Sequence, residues 1–237
     1  MMKVVQCWDD GVNNDVRLTE LFRKYGAKAT FNLNPGLMDQ GSKPSWIAPG
    51  EKGWSFHGFR CGKIARKDIA EVYDGFQLAS HCWRHENAGM VPDSEWIQSA
   101  LQARRFLEDL VQRECRGFAW PCGRWTHETV RLLRENGFAY GRTTENVEDV
   151  CSCREPMILA SNCHYQAGDF WERYERAKQN GCKVFYFWGH SYEMFEYEPL
   201  WQQLEDKIRF ITEDPETEWA DVIDIVPLLG EKEEKGE

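Results

Sequence analysis

Four short segments hold the residues whose types and spacing could do chemistry: Trp8-Asp9-Asp10-Gly11, Ser80-His81 through to His85, Trp120-Pro121-Cys122-Gly123, and Trp188-Gly189-His190. His81 and His85 are four apart, so a helical turn would bring both imidazoles to one metal ion. Adjacent carboxylates at a strand end point in different directions, so Asp10 could bind the cation while Asp9 faces a substrate and removes a proton. Two histidines and one carboxylate leave a coordination position open for water, whose pKa such an ion lowers towards ~7. That chemistry suits amide or ester hydrolysis, and His190 has the right titration range to protonate a leaving amine. Each residue also has an ordinary reading alone: an acidic turn, a surface histidine pair, a hydrogen-bonded strand-end imidazole. Their joint position is what carries the chemistry.

The elements that must position them alternate in type. Val4 to Trp8, Ala29 to Leu33, Phe76 to Ala79, Gly117 to Trp120, Ala139 to Thr143, Met157 to Ala160, Lys183 to Trp188 and Val222 to Val226 read as strands. Between them, Asp15 to Tyr25, Asp93 (as N-cap) to Arg113, Thr126 to Asn136, Asp169 to Asn180 and Glu198 to Ile211 have helical periodicity. Such alternation means an α/β chain with a parallel sheet, and this many strands favour a single (β/α) barrel. In a parallel barrel the site lies at the carboxyl ends of the strands, which is where the four segments fall. Asn34 to Lys63, with three prolines and Trp46, Trp54, Phe56, His57 and Phe59, reads as an ordered insertion of the kind that covers a site. The domain is expected over residues 1–229, and the charged stretch 230–237 is expected to be a disordered tail.

Composition narrows the partners. The 237 residues carry 29 Lys+Arg against 39 Asp+Glu, a net charge of −10, which offers no positive footprint for nucleic acid or anionic membrane. No apolar run is long enough to span a bilayer, the charged start is unlike a signal peptide, and nine scattered cysteines suit a reducing compartment, so a cytoplasmic location is expected. The many aromatic residues include Trp8, Trp83, Trp120, Trp125 and Trp188 as candidates for cleft walls, though core packing is the commoner role for each.

The ordered combination of Asp9-Asp10-Gly11, His81-x-x-x-His85 preceded by Ser80, Phe118-Ala119-Trp120-Pro121-Cys122-Gly123 and Trp188-Gly189-His190 resembles the NodB-homology polysaccharide deacetylase family, carbohydrate esterase family 4. The resemblance spans Val4 to Tyr192. It implies a distorted (β/α) barrel with about seven strands and one divalent transition metal, commonly zinc. It further implies Asp10, His81 and His85 as ligands, Asp9 as general base, His190 as general acid, and the Cys122 backbone N–H as an oxyanion donor. Trp120, Pro121 and Trp188 would contact substrate. Two positions depart from the family pattern. Ala119 stands where an arginine often tunes the base, and no clear match exists for the aspartate that orients the acid, although Glu145, Asp149 and Asp169 lie in the right stretch. His57, His127 and His164 are left outside the site, although His57 in the insertion could contact substrate; Glu193, three beyond His190, could buttress the site, but the preferred reading is a surface carboxylate.

The expected activity is metal-dependent removal of an acetyl group from an N- or O-acetylated saccharide. Two other readings stay open: cleavage of a non-sugar C–N bond in a small acylated amine, and a catalytically weak carbohydrate-binding homologue.

Overall fold

The computed structural model describes residues 1–230; residues 231–237, most of the expected tail, lie outside the described residues. In chain order the strands are β1 (Met2–Asp9), β2 (Thr30–Leu33), β3 (Ser45–Trp46), β4 (Phe59–Arg60), β5 (Gln77–Ser80), β6 (Gly117–Ala119), β7 (Tyr140–Asn146), β8 (Leu159–Ser161), β9 (Cys163–His164), β10 (Val184–Gly189) and β11 (Thr217–Trp219). The helices are α1 (Asn14–Tyr25), α2 (Ile69–Val72), α3 (Asp93–Val111), α4 (His127–Glu135), α5 (Phe170–Gln179) and α6 (Glu198–Glu213). Nine strands form one parallel sheet in the order β8-β7-β6-β5-β2-β1-β10-β9, with β11 beside the start of β1. The single α/β domain of the barrel type is therefore as expected, with more strands than seven.

The order shows how the barrel closes. Its two ends, β8 and β9, are consecutive in the chain, with Asn162 alone between them. The Asn162 backbone N–H donates to the Tyr186 carbonyl at 2.7 Å. Its side-chain amide donates to the Val147 and Glu148 carbonyls at 3.1 and 2.8 Å, while its Oδ1 accepts the Tyr186 N–H at 2.7 Å. One asparagine thus supplies the ladder bonds that the seam lacks.

Alternation along the strands stacks the interior in layers. Val5, Cys7, Tyr140, Val184 and Tyr186 pack together with Val222 and Ile225 at the closed end. One repeat further up, Asp9, Arg142 and Trp188 border a cavity. The outer faces of β1 and β2 bury Trp8 and Phe31 against Phe22 of α1, and α3 and α4 cover β6 through Trp96, Leu101 and Leu133. Trp8 is completely buried and is no cleft wall.

Two local expectations need correction. Val222 to Val226 is not a strand but part of a 3₁₀ helix, Val222–Leu228. Its apolar run satisfied the strand pattern, yet Pro227 and reciprocal capping by Asp221 and Asp224 favour a tight helical turn, which plugs the barrel floor. The last strand is instead the short polar Thr217–Trp219. Helix α3 begins at Asp93 itself, with Pro92 before it and no side-chain cap.

The insertion is ordered as expected, with β3 and β4 pairing antiparallel. Trp46 and Phe59 pack on Phe195, and Trp54 and Phe56 pack on Tyr192, so the insertion leans on the loop after β10.

Replacing Asn162 with Ala strips partners from two carbonyls and one N–H at the seam, at a cost of about 3 kcal/mol. In a domain of this size that lowers Tm by roughly 6–12 °C in thermal melts, with far-UV circular dichroism unchanged below the transition.

Candidate active site

The four segments converge at the carboxyl ends of the strands, around a cavity of about 800 Å³ bordered by Asp9, Asp10, His81, His85, Cys122, Arg142, Trp188 and His190. Gly11 turns the chain after β1 with φ +63°, a conformation that strains a side chain, and a Cβ there would also press on the end of Met38 at 2.9 Å, so glycine is favoured. Asp10, Cys82, His85 and Cys122 also adopt positive φ, a cost that clusters where side chains must be aimed.

Asp10 Oδ1 lies 3.9 Å from both His81 Nε2 and His85 Nε2. Two donors on a tetrahedral ion with 2.0–2.1 Å bonds would sit ~3.4 Å apart, so small adjustments close the triad on a cation. The His81 Nδ1–H donates to the Ala119 carbonyl at 2.9 Å, which leaves Nε2 unprotonated and facing Asp10. Burial first, and the neighbouring His85 charge, lower the His81 pKa to about 4 against the pull of Asp9 and Asp10, so the ring is neutral as a ligand must be. The donor set therefore fits a divalent transition metal. The expectation that the His81–His85 segment turns helically is not met: it is an irregular turn, with Cys82 and His85 left-handed, that sets the two rings 4.7 Å apart at 82°.

The insertion holds Asp10 from both of its ends. Asn34 Nδ2 donates to Asp10 Oδ1 at 2.9 Å. Lys63 Nζ donates to the Asp10 carbonyl at 2.6 Å and to Asn34 Oδ1 at 3.2 Å. Although burial opposes ionisation, the Lys63 charge, with those of His81, His190 and His85, holds the Asp10 carboxyl well below the usual range.

Asp9 points elsewhere, as adjacent residues on a strand must. It is buried, and both its oxygens accept hydrogen bonds from Arg142 Nη2, while Asn32 Nδ2 donates to Oδ1 at 2.7 Å. Burial alone would raise its pKa, but Arg142 above all, then the two imidazoles, bring it down to about 2. Arg142 is itself 1% exposed, with its guanidinium over the Trp188 ring at 4.9 Å. It brings a guanidinium to Asp9 from β7, at the position registered with Ala119 of β6. Sequence reasoning missed it, yet the signal was there: Tyr140-x-Arg142-x-Thr144 places an arginine on the inward face of a buried strand.

His190 Nε2 lies 3.8 Å from Asp9 Oδ2. Gly189 lets this segment approach β9, since a Cβ there would meet the Tyr165 ring at 2.2 Å. The His190 Nδ1–H donates to Glu193 Oε1 at 3.1 Å, and Glu193 Oε2 is 2.9 Å from His164 Nε2. Burial lowers the His190 pKa, but the bond to Glu193 and the charges of Asp9 and Asp10 outweigh it and leave it raised. The carboxylate that meets His190 Nδ1 is therefore Glu193, whose side chain is only 11% exposed rather than on the surface. Glu145, Asp149 and Asp169 are not in the site: Glu145 is exposed, Asp149 caps the Cys151 turn, and Asp169 pairs with Arg173. His164 joins the site through Glu193, contrary to expectation.

The cavity walls divide in the same way. Trp188 Nε1 is buried without a hydrogen-bond partner among the described residues. Trp120 is 1% exposed, stacked on Trp96 and bonded through Nε1 to the Met157 carbonyl, so it offers the cavity an edge rather than a platform. Pro121 is buried, and the lining passes from Trp120 to Cys122. Trp54, 61% exposed, borders the cavity from the insertion.

The polysaccharide deacetylase family matches the chain over residues 2–141. Among curated proteins, no sequence matches it. Among solved structures, a probable polysaccharide deacetylase from Pseudomonas aeruginosa superposes with a TM-score of 0.60 at 15% identity, covering 96% of this chain and 89% of that one. A Streptococcus pyogenes deacetylase in complex with acetate gives 0.51 at 18%, covering 65% of this chain and 61% of that one. A CE4 family pseudoenzyme from Bacillus anthracis gives 0.55 at 14%, covering 95% and 66%. At these identities the likeness is one of fold.

Removing one ligand tests the triad directly. His85→Ala should weaken binding of a divalent transition metal by more than the roughly 10–100-fold that changes behind the ligands cost. Elemental analysis after dialysis should find the ion retained by the unaltered protein and lost from the variant.

Proposed function

This chain belongs to the polysaccharide deacetylase family, and from that premise we propose that it is a metal-dependent hydrolase removing an acetyl group from an N-acetylated saccharide. The observation that carries the reading is the convergence of Asp10, His81 and His85 with Asp9 and His190 on one cavity. A divalent cation held by that triad, zinc by the chemistry of its donors, would supply Lewis acidity for the acetyl carbonyl and lower the pKa of a water molecule beside it.

The remaining work falls to the chain. Asp9, ionised because Arg142 and Asn32 satisfy it, removes the proton of the attacking water. The Cys122 N–H helps hold the oxyanion. His190, whose pKa the bond to Glu193 and the charges of Asp9 and Asp10 raise, delivers a proton from Nε2 to the departing nitrogen. Trp188 Nε1, unpartnered in the wall, donates to a substrate oxygen, and Trp54 offers its exposed face to a sugar ring.

Metal-loaded protein should release acetate from N-acetyl chito-oligosaccharides. Asp9→Asn and His190→Ala should each cut kcat by about 10²–10⁴ while retaining the metal. Full activity in either variant refutes the assignment. Saccharide binding without acetate release from any acetylated sugar or small amide would make the protein a binding homologue.

The pH profile carries a sign. His190 acts in its protonated form, so activity falls as pH rises through its raised pKa. Glu193→Gln keeps the shape but loses the charge that raises that pKa, so the alkaline limb of kcat/KM should move to lower pH.

A further inference from the structure

We propose that His164 is a positioning residue for His190, acting through Glu193; the inference rests on the reading of His190 as general acid. Glu193 is gripped from three sides. The His190 Nδ1–H reaches Oε1 at 3.1 Å, the His190 backbone N–H reaches Oε2 at 3.1 Å, and His164 Nε2 reaches Oε2 at 2.9 Å. The first two bonds come from the residue that Glu193 is meant to orient. His164, from β9, is the independent anchor.

The tautomers run in one direction. The Gln166 backbone N–H donates to His164 Nδ1 at 3.3 Å, so the proton of that ring sits on Nε2 and His164 is a donor towards Glu193. Glu193 then accepts the Nδ1–H of His190, which turns His190 Nε2 towards Asp9 and the cavity. A His–Glu–His chain thus fixes which nitrogen of the acid meets substrate. The His164 ring is itself fixed, packing against Trp188 at 4.9 Å and Tyr165 at 4.8 Å.

A free alternative lies close by. Glu193 also borders a second cavity of about 560 Å³, together with Tyr165, Gln166 and Lys207. The Tyr165 hydroxyl is buried beside Glu193, and burial first, then the charge and hydrogen-bonding reach of Glu193, raise its pKa, yet it meets no partner at full hydrogen-bond geometry among the described residues. Without the His164 N–H, Oε2 is left to that hydroxyl or to water from the second cavity, and the carboxylate can turn away from His190.

The test uses metal-loaded full-length protein with His164→Phe, which keeps the ring contacts but has no N–H, and His164→Gln, whose amide nitrogen takes the place of Nε2. His164→Phe should lower kcat for N-acetyl chito-oligosaccharides about 10–100-fold with KM changed by less than about twofold, and His164→Gln should recover most of that loss. Nitrogen-15 imidazole resonances should show His190 protonated at Nδ1 in the unaltered and Gln proteins, and a tautomer mixture in the Phe protein. Unaltered kcat in His164→Phe, a Gln variant as slow as the Phe variant, or an unchanged His190 tautomer overturns the proposal. If His164→Phe does not fold, His164→Asn replaces it, since its amide stops at the Nδ1 position. Should the protein release no acetate from any substrate, the hydrolase reading fails, and the imidazole resonances still decide for or against the His164 role.

Discussion

A carboxylate held at the top of an apolar barrel is the constraint on which the site depends. Asp9 is buried one layer above Cys7 and Tyr186, where an ionised group without partners would take up a proton instead. Arg142 and Asn32 keep it charged, and Arg142 is in turn seated on Trp188. Burial raises the carboxyl pKa, and the guanidinium together with the His81 and His190 charges lowers it by more, so the balance falls on the side of the ionised carboxylate. The pair is a poor source of stability, since desolvating both ions offsets their attraction. Its product is a fixed charge at a fixed place.

The other groups are arranged around that charge by parallel topology. Each strand carries its chain direction to the same rim, so β1, β5, β7 and β10 can each deliver one polar residue there without a long loop. The cost appears in the backbone just past the strands. Asp10, His85 and Cys122 sit in left-handed conformations that suit glycine better. The insertion, by contrast, supplies support: its first and last residues, Asn34 and Lys63, meet across Asp10, and its aromatic side chains lean on Tyr192, which stacks on His190 at 4.7 Å.

Much of this was legible in the sequence because parallel barrels write their sites at strand ends. The buried strands around Val4 and Lys183, the helices stopped by Gly26 and Gly181, and the Asp-Asp, His-x-x-x-His and Gly-His segments all lie where alternation places them. What stayed hidden depends on register and direction. Arg142 meets Asp9 across 133 residues of chain, and His164 meets Glu193 only because β9 pairs with β10 at Trp188. The floor of the barrel was misread because a short apolar run with a proline suits a strand and a 3₁₀ turn almost equally until the capping bonds are seen.

The two departures from the family pattern share one physical explanation. A guanidinium lowers the pKa of a carboxylate according to distance and local dielectric, with no reference to the strand that delivers it. β6 and β7 are neighbours paired from Gly117–Tyr140 to Ala119–Arg142, so the arginine at position 142 lies beside position 119 and reaches both oxygen atoms of Asp9. The alanine at 119 keeps a task that needs no side chain, since its carbonyl fixes the His81 tautomer. The same holds for His190: a carboxylate three residues further along can bond Nδ1 as well as one from another strand, provided something pins its far oxygen. A charge that moves to a neighbouring strand disappears from a motif while remaining in the field. A missing motif residue in a closed barrel is therefore best sought at the registered position of the adjacent strand.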